Sequence, residues 1–456
     1  MRQCQIEMDT GNLEERYKEM MLIKNGMVID PANRIEQPAD VLVKDGRILR
    51  IAKEITEEGL SPSDSACGTD CETIDASGCI VAPGLVDVHV HFRDPGFTYK
   101  EDIESGAQAA LRGGFTSVVL MANTKPAVDN ADTLLYVIEK GKKTGLKVYT
   151  CATVTKGMAG KELTDMEMLL EKGAAGFTDD GIPIMDAGLL ERAMTEAASL
   201  HVPVSLHEED PGLISNNGVN RGKASAYFGI GGSPREAEIS LIRRDLEIAL
   251  KTGAILNVQH ISTKEGVELV RQAKKKAALS GMNNIHAEAT PHHFSLTEEA
   301  VIEHGTLAKM NPPLRGEDDR QAIIEGLRDG TIDIIATDHA PHSQDEKARP
   351  ITEAPSGIIG LETALALGIT NLVSQNRLTM VQLIERMSAN PAQMYRLSAG
   401  TLAQGSAADI VIFDANASQV VKDFASKSSN SPFMGQTLQG VVRYTIVNGN
   451  VVYRRR

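Results

Sequence analysis

Two histidines stand two residues apart at the end of an apolar, β-type run. The run starts near Cys79, carries His89 and His91, and stops at Pro95-Gly96. Side chains of a strand alternate between its faces, so both imidazoles point the same way and can hold one metal ion. Arg93 follows with the same parity. A cation there can meet an anionic substrate beside the metal.

Further ligand-type side chains stand where other β-type runs end: Asp179-Asp180, His207, His260, and Asp338 to His342. Histidines buried only for packing have no reason to prefer strand ends, so the joint pattern predicts a metal-dependent catalytic site. Spacing alone does not separate Asp179 from Asp180. Imidazole and carboxylate without paired cysteine suit Zn²⁺, with Mn²⁺, Co²⁺ and Fe²⁺ as alternatives. Two ions that share a carboxylate explain so many candidate ligands better than one four-coordinate ion.

Short β-type runs alternate with helical patterns between about residues 80 and 395, and these elements must position the polar side chains. Strands are predicted at 80–91, 115–121, 147–153, 174–179, 203–207, 255–260, 285–290 and 333–338. This α/β alternation predicts a (β/α)8 TIM-type barrel, whose active site lies at the C-terminal strand ends. An open doubly wound sheet is the alternative, but no Gly-rich phosphate turn follows the first strand.

Both ends of the chain have the pattern of short β-strands. Asn25-Gly26, Asp45-Gly46 and Asn448-Gly449 each predict a two-residue hairpin. We expect the two ends to form one small β-sandwich domain into which the barrel is inserted. The predicted division is an N-terminal extension at 1–20, the sandwich at 21–80 and 399–456, and the barrel at 81–398.

Composition limits the classes of partner. The formal net charge is −14, aromatic residues make up 4% and Trp is absent, which argues against binding to nucleic acid or to an anionic membrane. The five cysteines are an odd number and do not form a disulfide framework. Cys67 and Cys71 lack a second pair of ligands, so incidental thiols are favoured over a metal site. No run spans a bilayer and no signal peptide begins the chain, so we expect a cytoplasmic protein.

Three segments carry a resemblance to a known family. They are Asp87 to Gly96, Met121-Ala122-Asn123-Thr124-Lys125-Pro126, and Ala336 to His342. They resemble the amidohydrolase superfamily and, within it, the bacterial class I dihydroorotases, in order over residues 21–456. That family folds as a metal-containing (β/α)8 barrel with a flanking β-sandwich. It interconverts N-carbamoyl-L-aspartate and L-dihydroorotate in pyrimidine biosynthesis, and the resemblance implies the same activity here.

The resemblance also implies metal-ligand roles. His89, His91 and Asp338 would hold one zinc, and His207 and His260 would hold the second. Asp180 would bridge the two ions, in the place where many superfamily members carry a carboxylated lysine. Asp338 would also be the catalytic general base.

Substrate contacts follow from the same motifs. Arg93 and Asn123 would bind the substrate carboxylate, and Asn311 and His342 would add polar contacts. A main-chain contact would come from Ser356-Gly357. Phenylalanine is usual in the family where Ser356 stands, which affects only that side chain.

Two other functions remain open at this stage. Another cyclic amidase, of the allantoinase or dihydropyrimidinase type, shares the His-x-His start, but Arg93 and Asn123 favour a carboxylated ring. An inactive partner of aspartate transcarbamoylase is the second alternative, and the complete ligand set argues against it. A homodimer and an association of the active enzyme with that transcarbamoylase are partner hypotheses to test.

Overall fold

The computed structural model describes residues 20–56 and 71–455. The predicted extension therefore lies outside the described residues except for Met20, and so does Cys67. Among the residues that are described, no helix combines the length and the apolar character needed to cross a membrane.

The two ends of the chain build one eight-stranded sheet. Its strands are β1 (Met20–Asp30), β2 (Ile35–Lys44), β3 (Arg47–Ala52), β4 (Glu72–Asp75), β5 (Ile80–Pro83), β13 (Ile410–Val420), β14 (Thr437–Val447) and β15 (Asn450–Arg454). They lie in the order β15-β14-β13-β5-β1-β2-β3, with β4 paired to β1. The antiparallel pairing of β5 with β13 joins the two ends.

This sheet folds back on itself. Arg47 of β3 forms a bridge to Ala407, just before β13, and the Ile48 N–H donates to the Ser406 carbonyl at 2.9 Å. Apolar side chains of both chain ends, among them Ile23, Val41 and Ile410, form a separate buried core inside it. The prediction of one β-domain made by both chain ends is confirmed.

The hairpin predicted at Asn25-Gly26 is wrong, because β1 runs straight through this dipeptide. Asn25 has a φ of 63°, and its N–H donates to the Asp40 carboxylate at 2.9 Å. The result is a bulge in the pairing with β2, not a turn. Gly26 is needed for close packing, since a Cβ there would lie 2.5 Å from Val81 Cγ2.

The other two predicted hairpins are confirmed. Asp45 and Gly46 connect β2 to β3 with φ values of 49° and 72°, and Asn448 and Gly449 connect β14 to β15 with 49° and 76°. Positive φ at both central residues is the signature of the type I′ turn, which Asn-Gly and Asp-Gly favour.

Seven short parallel strands form the regular part of a barrel: β6 (Leu85–Val90), β7 (Phe115–Leu120), β8 (Lys147–Thr150), β9 (Pro203–Leu206), β10 (Ile255–Val258), β11 (Ile285–Ala289) and β12 (Ile334–Ile335). Every residue of β6 and β7 is buried. Burial along the whole strand is typical of parallel strands covered on both faces.

Irregular bridges close the ring. Phe177 bridges to Ala152 after β8 and to Val204 of β9, so the segment predicted as strand 4 is present but too short for regular pairing. His339 bridges to Val90 of β6, and the His91 N–H donates to the His339 carbonyl at 2.9 Å. The predicted closed eight-stranded barrel is confirmed, and the open sheet is excluded.

Helices connect and surround the strands. They are α1 (Ile103–Arg112), α2 (Ala131–Gly141), α3 (Met166–Glu171), α4 (Ala187–Leu200), α5 (Lys223–Phe228), α6 (Arg235–Thr252), α7 (Lys264–Leu279), α8 (Pro291–Ser295), α9 (Glu299–His304), α10 (Glu317–Asp329), α11 (Gln344–Lys347), α12 (Ala364–Gly368), α13 (Met380–Ile384) and α14 (Asn390–Met394). Side chains start several of them: Asp102 caps α1 and Thr263 caps α7, each accepting a backbone N–H of the first turn.

Candidate active site

The C-terminal ends of the barrel strands open into a cavity of about 190 Å³. Every site residue expected from the sequence lines it except His89: His91, Arg93, Asn123, Asp180, His207, His260, Asn311, Asp338, His342, Ser356 and Gly357. His89 is fully buried at its floor, beside His91 and Asp338. Side chains from distant parts of the sequence therefore meet at one site.

His89, His91 and Asp338 form one tight cluster. The Asp338 Oδ1 atom lies 3.1 Å from His91 Nε2 and 3.6 Å from His89 Nε2. Asp338 has a φ of 46°, a conformation that few non-glycine residues adopt. This backbone turn sits directly after the last barrel strand, at the residue whose carboxylate faces both imidazoles.

Asp180 connects this cluster to the other two histidines. One of its oxygens, Oδ1, lies 3.5 Å from His89 Nε2, 3.9 Å from His207 Nδ1 and 4.0 Å from His260 Nε2. The nitrogens of His207 and His260 that face it are themselves 2.9 Å apart. A carboxylate between four imidazoles has the position that a bridging ligand of two ions requires.

Asp179, which spacing could not separate from Asp180, points elsewhere. Its Oδ1 accepts the backbone N–H groups of Val154 and Thr155 at 2.8 and 3.1 Å, and its other oxygen accepts the Thr155 hydroxyl. The Asp179 carboxylate therefore binds the neighbouring loop. Of the two aspartates, Asp180 is the one whose carboxylate faces the histidines.

The donor set fits a metal of the zinc type. The His89 Nε2 atom is buried and has no hydrogen-bond partner among the described residues. Its other ring nitrogen, Nδ1, lies 3.0 Å from the buried carboxylate of Glu288, which holds the proton on Nδ1 and leaves a lone pair on Nε2. Imidazoles of this tautomer with two carboxylates form a typical zinc site.

Burial and neighbouring charge shift the pKa values of these groups. Burial alone lowers the pKa of His89, but the Glu288, Asp180 and Asp338 carboxylates outweigh it and raise this pKa well above its usual value. The same carboxylates attract a metal cation, which would take the place of the proton on Nε2. Burial raises the pKa of Asp180, but the surrounding imidazoles outweigh it and hold this pKa well below its usual value. Burial and the charges of His207 and His89 lower the pKa of His260, so its cation is disfavoured and its lone pair is free.

Polar side chains surround the cluster on one side. Asn123 donates from Nδ2 to Asp180 Oδ2 at 3.0 Å, and its Oδ1 lies 3.0 Å from His91 Nδ1. Arg93 has a φ of 58°, and its Nε donates to the Pro341 carbonyl at 3.3 Å. Because this is the one Arg93 nitrogen that forms a hydrogen bond within residues 20–56 and 71–455, the terminal N–H groups of the guanidinium remain for an anion in the cavity.

His342, Asn311 and the 356–357 main chain also line the cavity. His342 donates from Nε2 to the Ser356 carbonyl at 2.8 Å, and burial together with the charges of Arg93 and Lys100 lowers its pKa, so this imidazole is neutral. The Asn311 amide lies 3.2 Å from His207 Nε2. The side chain of Ser356 approaches Gly218, where a Cβ would lie 2.1 Å from its Oγ.

Sequence reasoning missed the carboxylates behind the histidines. Glu288 lies behind His89, and Glu209 lies 3.6 Å from His207 Nε2. A signal existed for Glu288, since it is the one charged side chain in the otherwise uncharged run Ala287-Glu288-Ala289-Thr290. Nothing in that run identifies His89 as the residue that Glu288 contacts.

The fold and the site define the class of protein. The model of the amidohydrolase family matches residues 80–452, which is most of the chain, and this chain belongs to the amidohydrolase family. Members of this family are metal-dependent hydrolases, in agreement with the histidine and aspartate groups described above.

Relatives of known class narrow the family further. The chain is 56% identical over 434 residues to the dihydroorotase of Clostridioides difficile (strain 630), covering 95% of this chain and 100% of that protein. It is 51% identical over 436 residues to the dihydroorotase of Clostridium acetobutylicum, covering 95% and 99%.

Solved structures share the fold. The L-hydantoinase (dihydropyrimidinase) from Arthrobacter aurescens superposes with a TM-score of 0.83 at 27% identity and covers 95% of this chain and 96% of that chain. The dihydropyrimidinase from Brevibacillus agri NCHU1002 has a TM-score of 0.80 at 22% identity, with 95% of each chain covered. The likeness to the second protein concerns the fold alone.

Proposed function

We propose that this protein is a dihydroorotase, which catalyses the reversible cyclisation of N-carbamoyl-L-aspartate to L-dihydroorotate in de novo pyrimidine biosynthesis. One observation carries the proposal: the 56% identity to a dihydroorotase, which extends over the whole of that relative. The cavity agrees with it, because a guanidinium and an amide stand beside the histidine–aspartate cluster.

The proposed metal is zinc, with two ions per chain. His89, His91 and Asp338 would hold one ion, His207 and His260 the other, and Asp180 would bridge them. The orphaned Nε2 of buried His89 and the position of Asp180 between imidazoles support this arrangement. A bound divalent ion lowers the pKa of a water molecule from about 15.7 to about 7 and polarises a carbonyl group.

The proposed substrate contacts orient the ring. Arg93 offers two parallel N–H donors to the substrate carboxylate, the geometry that a planar guanidinium provides and an ammonium does not. Asn123 and Asn311 contribute amide groups on either side of the metal cluster, and His342 contributes a neutral imidazole. The Ser356-Gly357 main chain would add a further contact from the cavity wall.

Asp338 is the proposed proton carrier. In ring opening, water attacks the ring amide carbonyl of dihydroorotate, and Asp338 accepts the proton that this water loses. Asp338 then delivers the proton to the ring nitrogen as the carbon–nitrogen bond breaks. In ring closure the ureido nitrogen attacks the carbon of the protonated side-chain carboxyl group. Asp338 takes the proton from this nitrogen and delivers it to the departing hydroxyl group, which leaves as water.

An assay of substrates tests the proposal. We expect purified enzyme loaded with zinc to close N-carbamoyl-L-aspartate and to open L-dihydroorotate, and to open dihydrouracil or allantoin at least about a hundredfold more slowly. Rejection of a ring without the carboxylate follows because Arg93 is then left unpaired. Preferred opening of a ring without a carboxylate would replace the proposal with a hydantoinase-type activity, the function of the structural relatives.

Location and partners are part of the proposal. A cytoplasmic location is supported by Cys79 and Cys151, which are both free thiols. A homodimer and an association with aspartate transcarbamoylase are the proposed partners. Sedimentation of the enzyme alone, and with added transcarbamoylase, tests both.

A further inference from the structure

Four consecutive carbonyl groups at the cavity wall are each held by a side chain. Lys309 Nζ donates to the Ala354 carbonyl at 2.6 Å, and Lys347 Nζ donates to those of Pro355 and Gly357 at 2.9 and 3.0 Å. The Ser356 carbonyl accepts from His342 Nε2 at 2.8 Å. Asn430 adds a second bond, of 3.0 Å, to the Gly357 carbonyl.

The two lysines of this set are unusual because they are buried without an acidic partner. Lys309 is 4% and Lys347 5% exposed, and within residues 20–56 and 71–455 neither forms an ion pair. Instead Lys309 Nζ also donates to the Ile351 carbonyl at 2.8 Å, so each amine serves two carbonyls. A buried amine costs free energy unless its donors are used, and here all the acceptors belong to the segment 351–357.

The number of donors matches the number of acceptors. Burial and the charge of Lys309 lower the pKa of Lys347 to about 7, and burial lowers the pKa of Lys309 below its usual value. A neutral amine keeps two N–H donors, and each of these amines faces two carbonyls. Lys347 can therefore hold its two carbonyls without the desolvation cost of a full charge.

The effect on the site concerns the direction of the peptide groups. The carbonyls of 354–357 are hydrogen-bonded to these side chains. The Gly357 N–H is engaged as well, because it donates to the Lys309 carbonyl at 2.8 Å. The Ser356 N–H makes no hydrogen bond within the described part of the chain, and Ser356 lines the cavity. It is a donor that remains for a bound substrate.

The holding side chains come from separate parts of the fold. Lys309 follows the turn at Gly305–Ala308, and Lys347 ends the single-turn helix α11. On the same helix Glu346 accepts from Lys100 at 3.1 Å and from Tyr99 at 2.8 Å. Adjacent residues of α11 thus form hydrogen bonds to the loop after β6 and to the segment 355–357.

We propose that Lys309 and Lys347 are positioning residues for substrate binding, which fix the main chain at Ser356-Gly357 in the conformation that receives the substrate. This inference rests on the proposed function for the identity of the substrate, but not for the effect on the loop. The proposal gives these lysines no role in metal binding, because the hydrogen bonds of their amines go to the 351–357 segment.

The test compares Lys347→Met and Lys309→Met with Lys275→Met, an exposed lysine of α7. Methionine keeps the apolar stem and removes the donors. We expect each buried-lysine variant to raise KM for N-carbamoyl-L-aspartate about tenfold, the effect of losing one to two hydrogen bonds. We expect kcat within about threefold and unchanged zinc content, and Lys275→Met should match the wild type in all three.

Hydrogen exchange of the substrate-free proteins supplies the second readout. Peptides that cover residues 350–358 should exchange faster in both buried-lysine variants, and peptides that cover β6 should not. Unchanged KM and unchanged exchange in a folded variant would overturn the proposal, as would a fall in kcat together with loss of zinc. If Lys347→Met fails to fold, Lys347→Gln keeps two donors on a shorter stem, and its exchange should lie between wild type and Lys309→Met.

The exchange measurement also separates this inference from the proposed function. A wild-type enzyme without dihydroorotase activity would overturn the function, yet faster exchange at 350–358 in the variants would still support the role of the lysines in the loop. Exchange that stays at the wild-type rate would overturn that role whatever the substrate.

Discussion

The Nδ1 atom of His89 lies 3.0 Å from the carboxylate of Glu288, and both side chains are fully buried. Asn257 Nδ2 donates to the other carboxylate oxygen of Glu288 and reaches the Ser205 hydroxyl at 3.1 Å, and this hydroxyl lies 2.7 Å from the Tyr395 phenol. A chain of hydrogen bonds through the barrel interior therefore fixes the orientation of the His89 ring.

We expect Glu288→Gln to weaken zinc binding about 10- to 100-fold, because the amide holds the His89 ring less firmly and leaves its Nε2 less basic. Competition with a chromophoric chelator measures the zinc dissociation constant directly. The pair of His286 and Asp333, whose Nδ1–carboxylate distance is 2.7 Å, offers a matched control on the same strand. Asp333→Asn should leave zinc affinity unchanged, and equal effects of the two substitutions would contradict the assignment.

Asp338→Asn should retain zinc and lose turnover by about 10²- to 10⁴-fold, the range of a general acid–base group. The amide oxygen can replace a carboxylate oxygen near His91, but it cannot take up a proton at neutral pH. Turnover in both directions, together with metal analysis of the same preparation, checks this expectation. A variant that keeps its zinc and turns over near the wild-type rate would remove Asp338 from the proton-transfer role.

The two neighbouring aspartates should differ in their effect on the metal. Asp180→Asn removes the charge between the imidazoles, and we expect the purified protein to hold less zinc. Asp179→Asn keeps an acceptor for the Val154 and Thr155 N–H groups, and we expect full zinc content with a modest loss of thermal stability. Elemental analysis after dialysis distinguishes them, and zinc loss in the Asp179 variant alone would reverse the assignment.

Arg93→Lys should raise KM for dihydroorotate about tenfold or more at unchanged zinc content, since an ammonium cannot form the two parallel hydrogen bonds of a guanidinium. Steady-state kinetics in both directions measure the effect. Arg192→Lys, an exposed position on α4, serves as control. A KM that stays at the wild-type value would mean that another group binds the carboxylate.

The positions of the barrel strands were predictable because buried parallel strands are continuous apolar runs. The polar residues at the strand ends could be predicted for the same reason, since His89, His207 and Asp338 each stand where an apolar run stops. Contacts across the barrel were not readable. Glu288 and His89 are separated by 199 positions, and nothing local in either segment identifies the other.

The Asn25-Gly26 segment illustrates a different limit. Its local chemistry favours a hairpin turn, but β2 and β5 lie on both sides of β1 and hold it extended through the dipeptide. The tertiary pairing outweighs the turn preference, and the left-handed Asn25 becomes a bulge. A sequence window of ten residues contains the turn preference and none of the neighbours that overrule it.

The pairing of β5 with β13 sets an order of events during synthesis. Strand β6, which carries His89, begins directly after β5, and the Gly84 N–H donates to the Asp409 carbonyl at 2.9 Å. Residues 410–413 that complete this edge leave the ribosome only after the entire barrel has been made. Until then β5 presents an open edge to other nascent chains. The last strands of the polypeptide thus cover the edge of β5, and this pairing protects the newly made enzyme against aggregation.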